Sequence, residues 1–369
     1  MLFISKRFIR YFDWISFALV LSIALIGITF VYSATFKLSA VDYSIFFKKQ
    51  FFGLISGIMI YFFCSMLDYR TVCRIGFFLY FASIAALIFT MIKGSIGMGA
   101  QRWIDVGLFK FQPSELSKLF FPMFVTYYFL NDEKVTNPPQ KAFTIPLMIM
   151  LSSAFLVLKQ PDLGTALILL FSGSVMFWHI GLSKKFFITL GMILLVTTPI
   201  SWNLLKTYQK KRVLVFLGYG DNNKERYQIE QSKIAVGSGG FWGKGFLKGT
   251  QNKLSFLPES RTDFIFSVVC EEMGLAGATF LLLLYLLLFF RLFIMMSSLS
   301  TFYPQLLCLG LIMHVIFSTI INIGMVLDLL PVVGIPLPFA SYGITHLWIG
   351  FASLGCINSI TCQRYVHDL

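Results

Sequence analysis

Residues 14–34 read WISFALVLSIALIGITFVYSA and contain no Asp, Glu, Lys or Arg. A helix of about 20 apolar residues is long enough to cross the hydrocarbon core of a bilayer. Lys6, Arg7 and Arg10 precede this run, which continues without a small-residue cleavage site. The stretch therefore predicts a first transmembrane helix rather than a cleaved signal peptide.

The same pattern recurs along the chain. Of 369 residues, 57% are hydrophobic and 13% are charged, whereas about 25% are charged in ordinary soluble domains. Long apolar runs exclude a disordered chain, a soluble enzyme and a β-barrel, whose strands would alternate apolar and polar residues. We predict an all-α polytopic membrane protein, one domain over 1–369, with about ten transmembrane helices near 14–34, 50–67, 75–93, 113–131, 143–158, 163–181, 186–204, 264–292, 304–327 and 341–360.

One connection is long, at about 205–262, between helices seven and eight. Lys and Arg are more numerous in the short loops that share a side with the termini, which favours cytoplasmic termini. With ten helices, all odd-numbered connections lie on the same side, here the outer one. These connections contain the unusual polar segments 94–118, 159–165, 205–263 and 328–346, which we expect to build one outward-facing site.

The net charge is +13. Because the basic residues lie in loops between helices, anionic lipid head groups or diphosphates are better partners than nucleic acid. The six cysteines lie mostly in apolar runs and form no CxxC pair, so neither a disulfide framework nor a metal cluster is expected from them.

The third connection contains Arg102 and Trp103, which form either an interface anchor or part of a site. Pro113 suits the first turn of helix four. Glu115 and Lys118 are three residues apart and share a helix face just inside the membrane. They are either a capping carboxylate with its ion-pair partner or the lining of a cavity, because charges within a membrane helix usually face one.

The fifth connection, 159–165, reads KQPDLGT. Asp162 can cap the following helix. Capping does not explain Lys159, whose charge lies beside a helix N-terminus that favours anions.

Asp263 stands where the long connection enters helix eight, with Arg261 beside it. It is either an N-terminal cap or a base or metal ligand at a cavity mouth. Glu271 and Glu272 lie on other faces of this helix, so we predict hydrogen bonds to neighbouring helices for them.

Three further features remain. The glycine-rich segment 237–245 lacks the ending of a Walker A motif and predicts a turn. The Pro- and Gly-broken segment 331–343 must be buried or line a cavity. The histidines at 179, 314 and 346 are isolated in sequence, so core or interface roles are expected; neither a Ser-His-Asp set nor a zinc spacing is present.

Several stretches together resemble the SEDS family (shape, elongation, division and sporulation). They are RYFDW, VYSAT, GAQRWIDVGLFKFQPSELSKL, KQPDLGTALILL, YQIEQSKIAVGSGGFWGKGFLKGTQNKLSFLPESRTDFIFSVVCEEMG and NIGMVLDLLPVVGIPLPFASYG. The short termini and GTQNKLSFLPE favour the elongation branch over the division branch. The sequence departs from the family pattern at Arg261 (usually His), at Asp328 (usually Gly) and at Ile344-Thr345-His346. The last two departures concern the packing or partner contacts of the ninth connection, and all three leave Asp263 in place.

The resemblance implies a peptidoglycan glycosyltransferase that polymerises lipid II outside the bacterial inner membrane with a class B penicillin-binding protein, a transpeptidase. It implies that Asp263 is the essential aspartate. It also implies substrate-binding roles for the motif residues Arg102, Trp103, Glu115, Lys118, Lys159 and Asp162.

This chemistry fits the residues. A polyprenyl diphosphate donor needs no ATP, and the sequence has no nucleotide motif. The leaving diphosphate needs cations, from Lys118, Lys159, Arg102 or a divalent ion such as Mg²⁺ or Mn²⁺. Asp263 would be the base, or a metal ligand, in an inverting transfer. The alternatives are a flippase or transporter of lipid-linked precursors, the division paralogue, and an inactive scaffold for the transpeptidase.

Overall fold

The computed structural model describes residues 10–36, 45–97, 100–105, 107, 110–130, 138–204, 207–216, 219, 224–254 and 256–367. All ten predicted helices are present. They are α1 Trp14–Thr35, α2 Ile45–Ser65, α3 Tyr69–Lys93, α4 Pro113–Leu130, α5 Thr144–Lys159, α6 Leu163–Ile180, α7 Lys184–Leu204, α11 Ile265–Ser297, α12 Phe302–Val326 and α13 Ile344–His367. The long connection adds three shorter helices, α8 Thr207–Phe216, α9 Lys224–Ser238 and α10 Thr250–Lys253.

The outside of the helix bundle is apolar. Among the described residues, seven helical segments are long and apolar enough to cross a membrane: Trp14–Thr35, Ile45–Ser65, Tyr69–Lys93, Gln140–Lys159, Leu163–Ile180, Ile265–Ser297 and Phe302–Val326. Large apolar side chains such as Met59, Ile92 and Phe290 are exposed on these segments. A soluble monomer rarely exposes such a surface, and in a bilayer it faces lipid.

The third connection contains a small antiparallel sheet that the sequence did not predict. Its strands are β1 Ser95–Gly97, β2 Ala100–Asp105 and β3 Lys110–Phe111, in the order β1-β2-β3. β1 and β3 are too short to show an alternating pattern, and β2, which reads AQRWID, does not alternate between apolar and polar residues. The sheet carries Arg102 and Trp103 on β2, and β3 leads directly into α4.

Local contacts explain two of the helix starts that differ from the predicted ones. α3 begins earlier than predicted because the Asp68 side chain accepts a hydrogen bond from the Arg70 amide at 2.8 Å, which caps the helix. α13 begins later, at Ile344, because Gln50 of α2 holds the preceding turn. Its amide donates to the Ser341 carbonyl and accepts from the Gly343 amide, both at 3.0 Å.

The largest core joins α1, α2, α11, α12 and α13. Close approach of α13 to α2 depends on small residues: a Cβ at Gly57 would lie 2.6 Å from the Phe351 ring. At the other end, Arg291 of α11 pairs with buried Asp13 at 2.8 Å. These contacts fix α1 and α13 around α11 and α12, which carry the candidate site at the end near the long connection.

α11 is broken at Gly274, where φ is 66° and ψ is −164°. The glycine-rich turn of the long connection fills this break. The amides of Lys244 and Gly245 donate to the carbonyls of Glu271 and Glu272 at 3.0 and 2.9 Å. On the other side, the amides of Leu275 and Ala276 donate to the carbonyls of Gly240 and Phe241 at 2.9 and 3.0 Å. The predicted turn is thus confirmed, and it satisfies main-chain groups that the break exposes.

The two buried glutamates of α11 hold the long connection in place. Glu272 accepts from the Ser33 hydroxyl of α1 at 2.5 Å, as predicted for a neighbouring helix. Glu271 also bonds to a neighbouring helix, because Thr250 is the first residue of α10, and it bonds in addition to a lysine of the turn. The Glu271 carboxylate accepts from Lys244 Nζ and the Thr250 amide, both at 2.7 Å, because the long connection folds back onto this face of α11.

Candidate active site

Polar side chains join three of the four connections expected to share one side. Gln112 Nε2 and Ser114 Oγ, at the start of α4, donate to Asp162 Oδ2 at 2.7 and 3.0 Å. His346, at the start of α13, bonds through Nδ1 to Glu115 Oε2 at 2.9 Å. The third connection is therefore tied to both the fifth and the ninth.

The seventh connection is tied to the ninth. The Ser341 hydroxyl donates to the Thr262 carbonyl at 2.5 Å, and the Tyr342 amide donates to the Arg261 carbonyl at 2.9 Å. All four segments thus meet at one end of the bundle, as the sequence predicts. The segment before Asp263 therefore packs on the irregular ninth connection.

Asp263 is positioned through its main chain. Asn322 of α12 donates from Nδ2 to the carbonyls of Asp263 and Ile335, at 2.8 and 2.7 Å. One buried amide therefore fixes the start of α11 against the ninth connection. At Gly334, where φ is +73°, a Cβ would lie 3.5 Å from Asp263 Oδ2. A glycine there leaves room beside the carboxylate that a larger side chain would fill.

Arg261, which stands where the family usually has His, packs on an aromatic pair. Its guanidinium lies 3.8 Å from the centroid of the Phe46 ring, and Phe46 meets Tyr342 edge-on at 5.4 Å. Burial raises the pKa of the Tyr342 hydroxyl, against an opposing effect of the Arg261 charge, so this side chain is a neutral phenol at pH 7.

Glu115, Lys118 and His346 form one buried cluster. Lys118 Nζ lies 2.6 Å from Glu115 Oε1, and these two side chains are 1% and 7% exposed. His346 Nδ1 bonds to the other carboxylate oxygen of Glu115, and the His346 side chain is 11% exposed. The ion-pair interpretation of Glu115 and Lys118 is confirmed. The core role expected for His346 is confirmed, but its bond to Glu115 was not predicted, because it forms only where α13 packs beside α4.

A small cavity borders this cluster. Lys118, His314, His346 and Ser318 contribute to its lining. Because Glu115 is a carboxylate acceptor, His346 Nδ1 carries a hydrogen. Its Nε2 is buried and has no hydrogen-bond partner among the described residues. His314 has the predicted core role, bonded through Nε2 to Ser353 at 2.8 Å.

Asp162 is the predicted helix cap. Its Oδ1 accepts from the Thr165 amide at 3.1 Å, while Oδ2 receives the two hydrogen bonds from the third connection. The side chain is 2% exposed. The geometry therefore gives Asp162 a role in holding α4 and α6 together.

The other predicted cations have aromatic neighbours. Lys159 is exposed, with Nζ 4.8 Å from the Phe155 ring centroid. The Arg102 guanidinium lies 5.9 Å from the Trp103 ring centroid. The structure does not bring Lys159 and Lys118 into one open groove, because Lys118 is buried while Lys159 faces outward.

A protein-built metal cage is not seen among the described residues, where no group of three or more His, Cys, Asp and Glu side chains could hold an ion. A Mg²⁺ site completed by substrate phosphates needs only one or two carboxylates. Asp263 fits that smaller requirement, and the divalent ion stays a prediction.

Sequence reasoning missed three residues that build the site: Gln50, Asn322 and His346. Gln50 and Asn322 are completely buried in apolar helices. A polar side chain within a membrane helix is costly and usually has a specific partner, so their positions carried a signal. For His346 the signal was its departure from the family motif.

Comparison with known proteins places the chain in a family. The model of the cell cycle protein family FtsW/RodA/SpoVE matches residues 13–366. The chain belongs to this family. It is 40% identical over 289 residues to peptidoglycan glycosyltransferase MrdB of Escherichia coli K12, covering 78% of each chain.

Two further likenesses extend over nearly the whole chain. MrdB of Helicobacter pylori 26695 is 32% identical over 371 residues, covering 98% of this chain and 93% of the relative. A solved structure from work on polymerization and crosslinking by a peptidoglycan synthase complex superposes with a TM-score of 0.80 and 28% identity. That match covers 96% of this chain and 98% of the other. The all-helical polytopic membrane fold predicted from the sequence is confirmed.

Proposed function

We propose that this protein is a peptidoglycan glycosyltransferase that polymerises lipid II into glycan strands for cell-wall elongation and rod shape. Its MrdB relatives are named as peptidoglycan glycosyltransferases. The observation that carries the proposal is Asp263, a carboxylate at the mouth of the bundle whose main chain is bonded to Asn322. The neighbouring Gly334 leaves space beside it.

The reaction that we propose uses this placement. A sugar hydroxyl of the acceptor attacks C1 of the donor sugar, and the bond from C1 to the diphosphate oxygen breaks. The hydroxyl proton passes to an Asp263 carboxylate oxygen, and polyprenyl diphosphate leaves. A single displacement inverts the α-linked donor, so the product is β-linked.

The leaving diphosphate needs positive charge. Lys159 and Arg102 are the candidate contacts on the outward surface. Lys118 is buried against Glu115. We therefore propose that Lys118 supports substrate binding indirectly, by holding the start of α4 in place. A Mg²⁺ or Mn²⁺ ion held by Asp263 and the diphosphate would neutralise developing charge when bound.

The test is polymer formation from purified lipid II by the protein in detergent. The expected product is a glycan that muramidase, which cleaves β-linked glycan, degrades completely. A flippase or transporter would release no polymer in a system without two compartments, so the absence of polymer would favour that alternative.

The orientation we propose places the long connection and the active site outside and both termini in the cytoplasm. Lys248 and Lys141 are exposed on opposite predicted sides. Five native cysteines are buried and Cys64 is half-buried, so background labelling is low. An impermeant thiol reagent on intact cells should label Lys248→Cys and spare Lys141→Cys. The reverse pattern would overturn the orientation.

The partner we propose is a class B penicillin-binding protein. The support is the superposable structure from work on a synthase complex that coordinates polymerization and crosslinking. The protein should co-purify with a single-span transpeptidase, and polymerisation should rise in that complex. Full activity alone, without a complex, would count against the partnership.

A further inference from the structure

The turn that fills the break in α11 carries an exposed aromatic pair. Trp242 is 79% exposed and Phe241 is 57% exposed, and their rings meet edge-on at 4.9 Å. The proposed reaction makes no use of either side chain. Two large exposed rings at the tip of a tightly held turn indicate a surface that contacts a membrane or another molecule.

The depth of the turn can be measured against α1. The turn bonds to the α11 main chain at Glu271 and Glu272, and Glu272 accepts from Ser33 in the last helical turn of α1. α1 has 22 residues, a rise of about 33 Å, close to the hydrocarbon thickness of about 30 Å. Ser33 and the turn therefore lie where α1 leaves the hydrocarbon core.

The exposed surface below the turn is lipid-facing. Past the break, α11 exposes Leu275, Phe280, Leu283 and Leu286, each at 50% or more. The Leu275 amide bonds directly to the turn at Gly240. The aromatic pair thus continues the apolar surface of a membrane helix up to its boundary.

The same turn carries two lysines. Lys248 is exposed, and Lys244 is bonded to Glu271 at 2.7 Å. Aromatic rings and lysines in one short segment match the boundary between acyl chains and phosphate head groups.

We propose that residues 239–248 form a re-entrant turn that seats Phe241 and Trp242 in the head-group boundary of the outer leaflet. The long connection is then tethered at its middle to a lipid surface, next to the helix that begins after Asp263. This inference rests on the depth and exposure of the turn and, for the choice of leaflet, on the proposed orientation; it is independent of the proposed enzymatic activity.

Fluorescence quenching of Trp242 tests the proposal. The protein is reconstituted into nanodiscs of phosphatidylglycerol and phosphatidylcholine, with and without brominated acyl chains. The difference between wild type and Trp242→Phe isolates the Trp242 emission. We expect brominated lipid to remove most of this emission and aqueous iodide to remove little. Strong iodide quenching without lipid quenching would overturn the proposal, as would shielding that begins only when a transpeptidase is added.

A pair of glycines supplies matched controls for the depth argument. Gly243 has φ +79°, and a Cβ there would lie 2.2 Å from the Glu272 carbonyl. Gly240 also has positive φ, +57°, but among the described residues nothing lies within 4 Å of its Cβ position. With helicity unchanged, Gly243→Ala should move the Trp242 emission from lipid to iodide quenching, and Gly240→Ala should not. Full lipid quenching in a folded Gly243→Ala protein would show that the break in α11 does not set the depth.

Discussion

Asp263→Asn is expected to lower the rate of glycan polymerisation by at least about 100-fold, the scale of losing a general base. The substitution removes the charge but keeps the shape of the side chain. The Asp263 carbonyl still accepts from Asn322, so the start of α11 stays in place. The measurement is polymer formed from lipid II per folded, membrane-inserted molecule. Thermal unfolding should differ little from that of wild type.

Two variants sharpen this result. Asp263→Glu should also be poor, because one added methylene displaces the charge by about an ångström and positioned catalysis depends on geometry. Glu259→Gln is the matched control: this half-buried carboxylate lies in the same segment, with Thr262 Oγ1 at 3.2 Å. Glu259→Gln should polymerise at nearly the wild-type rate.

A metal titration separates the two roles proposed for Asp263. If Asp263 carries a divalent ion, chelation abolishes wild-type activity and Mg²⁺ or Mn²⁺ restores it. If Asp263 acts as a base alone, chelation has no effect on wild type, while Asp263→Asn stays inactive under both conditions.

Lys118→Ala is expected to have the largest effect on stability. It leaves Glu115 buried without its closest cation, and breaking a buried ion pair costs about 3–5 kcal/mol. The protein should remain folded, because His346 still holds the other carboxylate oxygen. Thermal unfolding in detergent should show a clear decrease in midpoint. Donor use should weaken as the start of α4 loosens.

Three companion variants test the cluster. Adding Glu115→Gln to Lys118→Ala should restore part of the lost stability by removing the unpaired charge. Adding His346→Ala instead should lower it further. His346→Ser alone, which removes the imidazole but keeps the ion pair, should cost no more than about 1–3 kcal/mol. A wild-type midpoint for Lys118→Ala would contradict the buried geometry, and normal polymerisation in both Lys118→Ala and Glu115→Gln would make the pair purely structural.

Much of the fold could be predicted because membrane helices appear in the sequence as long apolar runs. The placement of the four polar connections on one side followed from counting helices. Local spacing also predicted the pair at positions 115 and 118 and the cap at Asp162, since these contacts form within one helix or at its end.

The rest depends on contacts between distant segments. His346 reaches Glu115 across 231 positions of sequence, which requires knowing that α13 packs beside α4. The glycine-rich turn is held by hydrogen bonds to the main chain of α11. Contacts between main-chain groups cannot be predicted from the pattern of side chains. The sheet of β1, β2 and β3 is similarly set by pairing between strands, none of which shows an alternating pattern.

The most direct test measures the conversion of purified lipid II to glycan polymer by the purified protein, in detergent, without nucleotide and without transpeptidase. Wild type and Asp263→Asn are compared at equal amounts of folded protein, and muramidase digestion identifies the product. We predict β-linked glycan strands from wild type and a rate at least about 100-fold lower from Asp263→Asn. Equal polymerisation by both proteins would contradict the role of Asp263, and no polymer from either would contradict the enzymatic function itself.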